Sequence, residues 1–197
     1  MRKNLQFTIY PPSHKASAGQ SNLQKNRGFT IIESLVAIAI LIVAITGTMT
    51  AVQSGISSYT YSKDQIAAFF LAQEAFEQVR NMRDENRLNN RNWLAGLAEN
   101  STNPCWFGYA CTVDPVVSST ATSCSAIGSC PYLRQDPSSG FFGYNLSWPT
   151  TRFKREIVLT MVDSANTHEI AVTVTVSWSK GIIIRQFRAR ENLLNWQ

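Results

Sequence analysis

Two groups of residues have the types and spacing to do chemistry. The first is a set of four cysteines, Cys105, Cys111, Cys124 and Cys130, in the pattern C-x5-C-x12-C-x5-C. An even number of thiols confined to one segment suits two disulfides in an oxidising compartment. Three pairings are open. Equal spacings allow two local loops (Cys105–Cys111 with Cys124–Cys130) or a nested pair. Zinc is the rival, but structural zinc pairs sit two to four residues apart, and the histidines, His14 and His168, are distant in sequence. The second is a single carboxylate, Glu33, inside an apolar run. A charge deep in a membrane segment can cost about 3 kcal/mol on insertion scales, so Glu33 calls for a partner or for a place near the interface. At a helix start it would also favour the dipole.

Familiar catalytic patterns are missing. The sequence has no G-x-x-x-x-G-K-[ST] phosphate loop, no H-E-x-x-H zinc helix and no G-x-S-x-G elbow. His168 alone would have to serve any Ser-His or Cys-His nucleophile in the C-terminal part, and nothing marks a pair of carboxylates. The expectation is therefore a chain that is not an enzyme, with no catalytic, cofactor or metal site.

The run around Glu33 sets the organisation. Residues 1–27 are polar and include Pro11-Pro12, whereas FTIIESLVAIAILIVAITGTMTAV begins directly after Arg27-Gly28. An ordinary secretory signal carries its apolar region before the cut, so the order here is reversed. From Ser34 to Ser62 there are 29 residues without a formal charge. About 20 apolar residues cross a bilayer core as a helix, which makes Phe29 to about Val52 long enough. Lys25 and Arg27 should hold the preceding end in the cytoplasm. The charge is equally uneven. Arg2, Lys3, Lys15, Lys25 and Arg27 give the first 28 residues +5, and the remainder balances at 13 basic and 13 acidic side chains. Without excess cations past residue 28, no general nucleic-acid surface is expected.

The segment RGFTIIESLVAIAILIVAI, residues 27–45, closely resembles the class III signal of type IV prepilins and type II secretion pseudopilins; Gly28, Phe29, Thr30, Glu33 and Leu35 match it. That resemblance implies cleavage between Gly28 and Phe29 by a prepilin peptidase and N-methylation of Phe29 by the same enzyme. It also implies that the Glu33 carboxylate pairs with a neighbouring subunit's N-terminus during assembly. The new amine of Phe29 would lie one helical turn from Glu33. Weaker likenesses in LAQEAFEQVRNMRDE (residues 71–85) and in the closing VTVSWSKG and LLNWQ resemble the minor-subunit class. That class includes the type IV pilus modification protein and the second-position pseudopilins. The implied partners are the peptidase and methyltransferase, other pilin or pseudopilin subunits, an inner-membrane assembly platform and membrane lipid. The implied location is a single pass of the inner membrane, followed by a periplasmic or cell-surface filament. A major pilin, or a membrane-tethered adhesive module using residues 93–140, is the alternative.

The expected fold is α+β and pilin-like: a long N-terminal helix, its first half transmembrane, packed on a C-terminal antiparallel sheet. Four segments follow: a leader at 1–28, a transmembrane and assembly half at 29–52, an amphipathic half at 53–92, and a head at 93–197. In the amphipathic half, Ile66, Phe69, Phe70, Phe76, Val79 and Met82 form the expected apolar stripe, broken by Gln73. Gly47 and Gly55 lower local helix stability by about 1 kcal/mol each relative to Ala. The helix should end between Asn86 and Asn92. Complete alternation from Ile170 to Trp178 marks a strand flanked by Phe153–Val162 and Ile182–Arg190, with turns at 163–166 and at 179–181. A further strand is expected at Gly143–Trp148. Residues 93 to about 140 read as loop-rich, and Trp106, Phe107 and Tyr109 as cover for the seam between helix and sheet in preference to an exposed binding patch. The sequons at Asn100 and Asn145 are low-specificity matches.

Overall fold

The computed structural model describes residues 28–116, 120–163 and 166–195. The expected leader lies outside them except for Gly28, as do Ser164 and Ala165 of the first expected turn. The chain divides into two units, residues 1–51 and 52–197.

One helix, α1 (Ile31–Leu88), accounts for the N-terminal part of the fold. Its start is a cap: the Thr30 hydroxyl accepts from the Glu33 amide at 3.3 Å, and the Thr30 carbonyl accepts from the Ser34 amide at 3.1 Å. Thr30 and Glu33 occupy the N-cap and third positions of an S/T-x-x-E signature. The stop is as specific. Asn90 takes a positive φ of 52°. The Arg91 amide then reaches the Asn86 carbonyl at 2.8 Å while that of Asn90 reaches Arg87 at 3.1 Å, closing a Schellman motif.

In the first unit every described residue is exposed, and an 18-residue stretch of α1 has a mean hydropathy of 2.5 with none of it buried. Its threonines turn inward on the helix. Thr46 donates to the Ile42 carbonyl at 2.9 Å, Thr48 to Ile45 at 2.8 Å and Thr50 to Gly47 at 2.9 Å.

In the second unit the same helix packs on a seven-stranded antiparallel sheet. The strands are β1 (Ala110–Asp114), β2 (Thr120–Ser123), β3 (Tyr132–Gln135), β4 (Phe142–Gly143), β5 (Thr150–Asp163), β6 (Asn166–Lys180) and β7 (Ile183–Leu194). Strands β5, β6 and β7 form the expected meander, with Phe153 opposite Trp178 and Val174 opposite Ala189. The other edge of β5 is shared. β1 pairs at Ile157 and Val158, carrying β2 with it, and β3 pairs at Thr150 and Lys154, carrying β4. Phe153, Ile157 and Leu159 of β5 and Ile170, Val172, Val174, Val176 and Trp178 of β6 form the core beneath the helix. Burying each such side chain contributes about 1.5–3 kcal/mol relative to exposure.

Four expectations change in detail. The helix buries Ala68, Leu71, Ala72 and Ala75 together with Phe76, Val79 and Met82, while Ile66, Phe69 and Phe70 remain exposed. Close approach to the sheet favours alanine at the seam, so the contact follows side-chain size as well as polarity. The last turn also moves. Lys180 still pairs with Ile183, leaving a two-residue loop of Gly181 and Ile182 with Gly181 alone at positive φ, the arrangement of a II′ hairpin. The expected strand at Gly143–Trp148 is only two residues long and begins at Phe142. It ends because the Asn145 side chain captures the Ser147 amide at 3.0 Å and opens a turn. Finally, residues 93–140 hold three strands as well as loops; β1 to β3 are four or five residues each, too short to display a period between prolines.

Candidate functional site

The N-terminal residues singled out by the sequence lie together at the start of α1. A Cβ added at Gly28 would meet nothing within 4 Å among the described residues, and Phe29 is 82% exposed. Thr30 fixes the direction of the helix by capping it, which places Glu33 on its first turn. Among the described residues the Glu33 carboxylate has no hydrogen bond or ion pair. Its own backbone is satisfied by Thr30, so the side chain is left available. The geometry therefore offers an accessible Gly28-Phe29 bond and an unengaged carboxylate one turn beyond it.

The cysteines form two local disulfides, Cys105–Cys111 and Cys124–Cys130, with Cα separations of 5.1 and 5.0 Å. Sequence left the pairing open; the fold takes the local alternative. With all four sulfurs bonded in pairs, none is a thiolate for zinc, and no cluster of metal-binding side chains occurs among the described residues. The two loops do different work. Cys105 and Cys111 are fully buried, and Trp106 and Phe107 pack on the core, their rings 5.1 Å apart. Tyr109 is 61% exposed and does not share that role. The second loop is polar. The Ser129 hydroxyl accepts from the Ala126 amide, and the Gly128 amide donates to Glu156 at 2.6 Å, fastening the loop to β5.

That attachment borders the outer face of the sheet, a feature the sequence reading did not single out. A cleft of about 470 Å³ lies there between the 127–132 segment and β5–β7, with Lys154, Thr175, Ser177, Gln186 and Arg188 along it. The Lys154 ammonium sits 4.6 Å from the centre of the Tyr132 ring. The alternation of β5 could have revealed it, since Arg152, Lys154 and Glu156 fall on the face opposite Phe153 and Ile157.

Sequence reading also missed a buried cation. Arg155 is 1% exposed and joins three elements: it donates to the Leu71 carbonyl of α1 at 3.2 Å, to the Val113 carbonyl of β1 at 3.1 Å and to the Glu74 carboxylate. Its position between Phe153 and Ile157 was the available signal, because a strand's inward face takes every second residue. Nearby, burial pushes the Tyr144 phenol above its usual range, against the pull of the Arg155 charge. The Tyr144 hydroxyl donates to the Arg155 carbonyl at 3.3 Å.

His168 lies exposed on β6, and the sequons take part in turns. Asn100 accepts from the Thr102 amide at 3.0 Å, as Asn145 does from Ser147. A family model, the prokaryotic N-terminal methylation motif, matches residues 23–49. This chain carries the type IV prepilin and pseudopilin signature. The match encloses Gly28, Phe29, Thr30 and Glu33 and extends over the apolar first unit. A pilin-type signature implies processing by a prepilin peptidase and assembly with other pilins, and it suggests a structural subunit over an enzyme. With its one long apolar helix near the N-terminus, the chain fits a membrane-anchored pilin. Comparison with curated proteins and with solved structures found no match.

Proposed function

We propose that this chain is a minor pilin or pseudopilin of a type IV pilus or type II secretion filament. A prepilin peptidase cuts between Gly28 and Phe29, and N-methylation of Phe29 follows. Residues 29–52 hold the product in the inner membrane, with the N-terminus on the cytoplasmic side, until the assembly platform adds it to the filament. Glu33 carries the reading. Its carboxylate lies in an apolar helix with no partner among the described residues, one turn from the place where the cut creates an amine. In hydrocarbon such a carboxylate needs a countercharge, and a neighbouring subunit's N-terminus supplies one.

Mass analysis of the chain purified from membranes tests it. A product beginning at methylated Phe29 is expected, and the full-length chain as the final form would overturn the assignment. Glu33→Val should insert and be processed yet be lost from sheared filaments; unchanged incorporation would remove the pairing role. Low abundance in those filaments separates a minor from a major subunit.

A second reading, a membrane-tethered binding module using residues 93–140, is favoured by the outer cleft, one wall of which is residues 127–132. Ligand binding by cells lacking the filament machinery would support it.

A further inference from the structure

The tip of the β6–β7 hairpin presents apolar surface to solvent. Ile182 is 100% exposed, Ile184 77% and Ile183 54%, in a loop whose backbone is closed by Gly181 and needs none of them for packing. Cations flank them in sequence. Residues 177–190 contain Lys180, Arg185, Arg188 and Arg190 and no acid, and Lys63 follows an uncharged stretch of α1. Asp64, the first acid after that stretch, is occupied by Arg152 at 2.9 Å.

The position of the tip along α1 follows from four contacts. Arg185 lies over the Tyr61 ring at 4.2 Å, Phe187 meets Phe69 at 5.7 Å, Glu191 accepts from Arg80, and Arg83 donates to the Leu194 carbonyl at 3.3 Å. Strand and helix therefore run in the same direction. From Arg185 to Leu194 is about 30 Å of strand, and from Tyr61 to Arg83 about 33 Å of helix, so the alignment is consistent over its length. Ile182 lies three residues before Arg185, about 10 Å further toward the helix N-terminus, which brings it level with about residue 55 of α1. The apolar run of α1 ends near Val52.

We propose that the β6–β7 tip is a second lipid-binding site, in which Ile182, Ile183 and Ile184 enter the outer boundary of the bilayer that holds α1 while Lys180 and Arg185 meet anionic lipid phosphates. The proposal rests on the membrane-anchored reading and adds a contact to it. An apolar tip flanked by Lys180 and Arg185 is complementary to acyl chains beneath phosphates. A neighbouring subunit's apolar helix would satisfy the isoleucines and leave the flanking cations without a counterpart. The site holds the head against the membrane before assembly, and extraction into a filament would have to release it.

The test uses the processed chain in vesicles of phosphatidylethanolamine and phosphatidylglycerol. A nitroxide is placed singly at Ile182→Cys, Ile42→Cys or Leu146→Cys, all exposed positions, with the native disulfides intact. Position 42 should report the bilayer interior, 146 water, and 182 a depth of about 5–10 Å into the headgroup and acyl boundary. Exchanging phosphatidylglycerol for phosphatidylcholine should make 182 shallower and leave 42 unmoved. A deep 42 with 182 as aqueous as 146 overturns the lipid site and leaves the anchor standing; an aqueous 42 overturns the anchor itself. Protection of 182 found only in assembled filaments assigns the tip to a neighbouring subunit and also overturns the proposal.

Discussion

Residues 31–51 and 52–88 of α1 share one backbone geometry and differ in what surrounds them. The first stretch buries nothing, and its large side chains, from Ile31 to Met49, all face outward. The second presents a seam from Ala68 to Met82 to the sheet and fastens it with Arg155. The first segment is apolar on all sides beyond Glu33 and needs an apolar surrounding from outside. The second is selectively apolar and finds one within its own chain. Both stretches are helical; what distinguishes them is the placement of charge and of small residues along one face, Ala68, Ala72 and Ala75 in the second.

Removing the countercharge at the seam should have the largest effect. Glu74→Ala leaves Arg155 buried with its charge uncompensated and should destabilise the head by about 3–5 kcal/mol. Arg155→Met should be milder, because the stranded Glu74 side chain is 36% exposed and can be solvated. Denaturant unfolding of the two variants decides it: if Arg155→Met proves the more damaging, the buried-charge explanation fails.

A smaller effect comes from one leucine in each half. Leu71→Ala deletes a side chain that is 4% exposed and should cost about 3 kcal/mol, or about 10 °C in the melting temperature of the head. Leu41→Ala, at a position 58% exposed, should leave that melting temperature unchanged. Equal shifts would mean that the two halves are not energetically separate.

The smallest effect is a titration. Because burial raises the folded Tyr144 above the unfolded value near 10, its contribution is complete below that pH and is lost as pH rises through the folded value. Tyr144→Phe should flatten the alkaline loss of head stability. A phenol that ionises at its ordinary pH in the folded head would contradict the burial.

Much of this division is readable in the sequence. The 29-residue run without charge and the alternation from Ile170 to Trp178 reflect strong local periods, and both elements appear where those periods put them. The helix face was harder to place. Ile66, Phe69 and Phe70 look like core by hydropathy, yet Ala68, Leu71 and Ala72 pack on the sheet. Which of two adjacent apolar rows touches depends on the distance to the sheet, a tertiary quantity. β1 and β3 were hidden for a related reason: each is short and gains its place by pairing with the far edge of β5. At the N-terminus, Gly28, Phe29 and Glu33 lie in one unbroken stretch, so the family signature that encloses them could be matched without any tertiary information. The outer cleft and Arg155 arise from residues distant along the chain and needed the folded sheet to be seen.

The threonine hydroxyls of the first unit have a consequence for how that segment enters lipid. A composition-based scale charges Thr46, Thr48 and Thr50 for hydroxyl groups carried into hydrocarbon, but each donor is already spent on a carbonyl one turn back. Around these threonines the segment is thus effectively oilier than its letters suggest, and their hydroxyls ask nothing of neighbouring lipid. The shared carbonyls also loosen the ladder beside Gly47, where a back-bonded helix bends most readily. A stretch whose letters interrupt the anchor instead gives it compliance without wetting it.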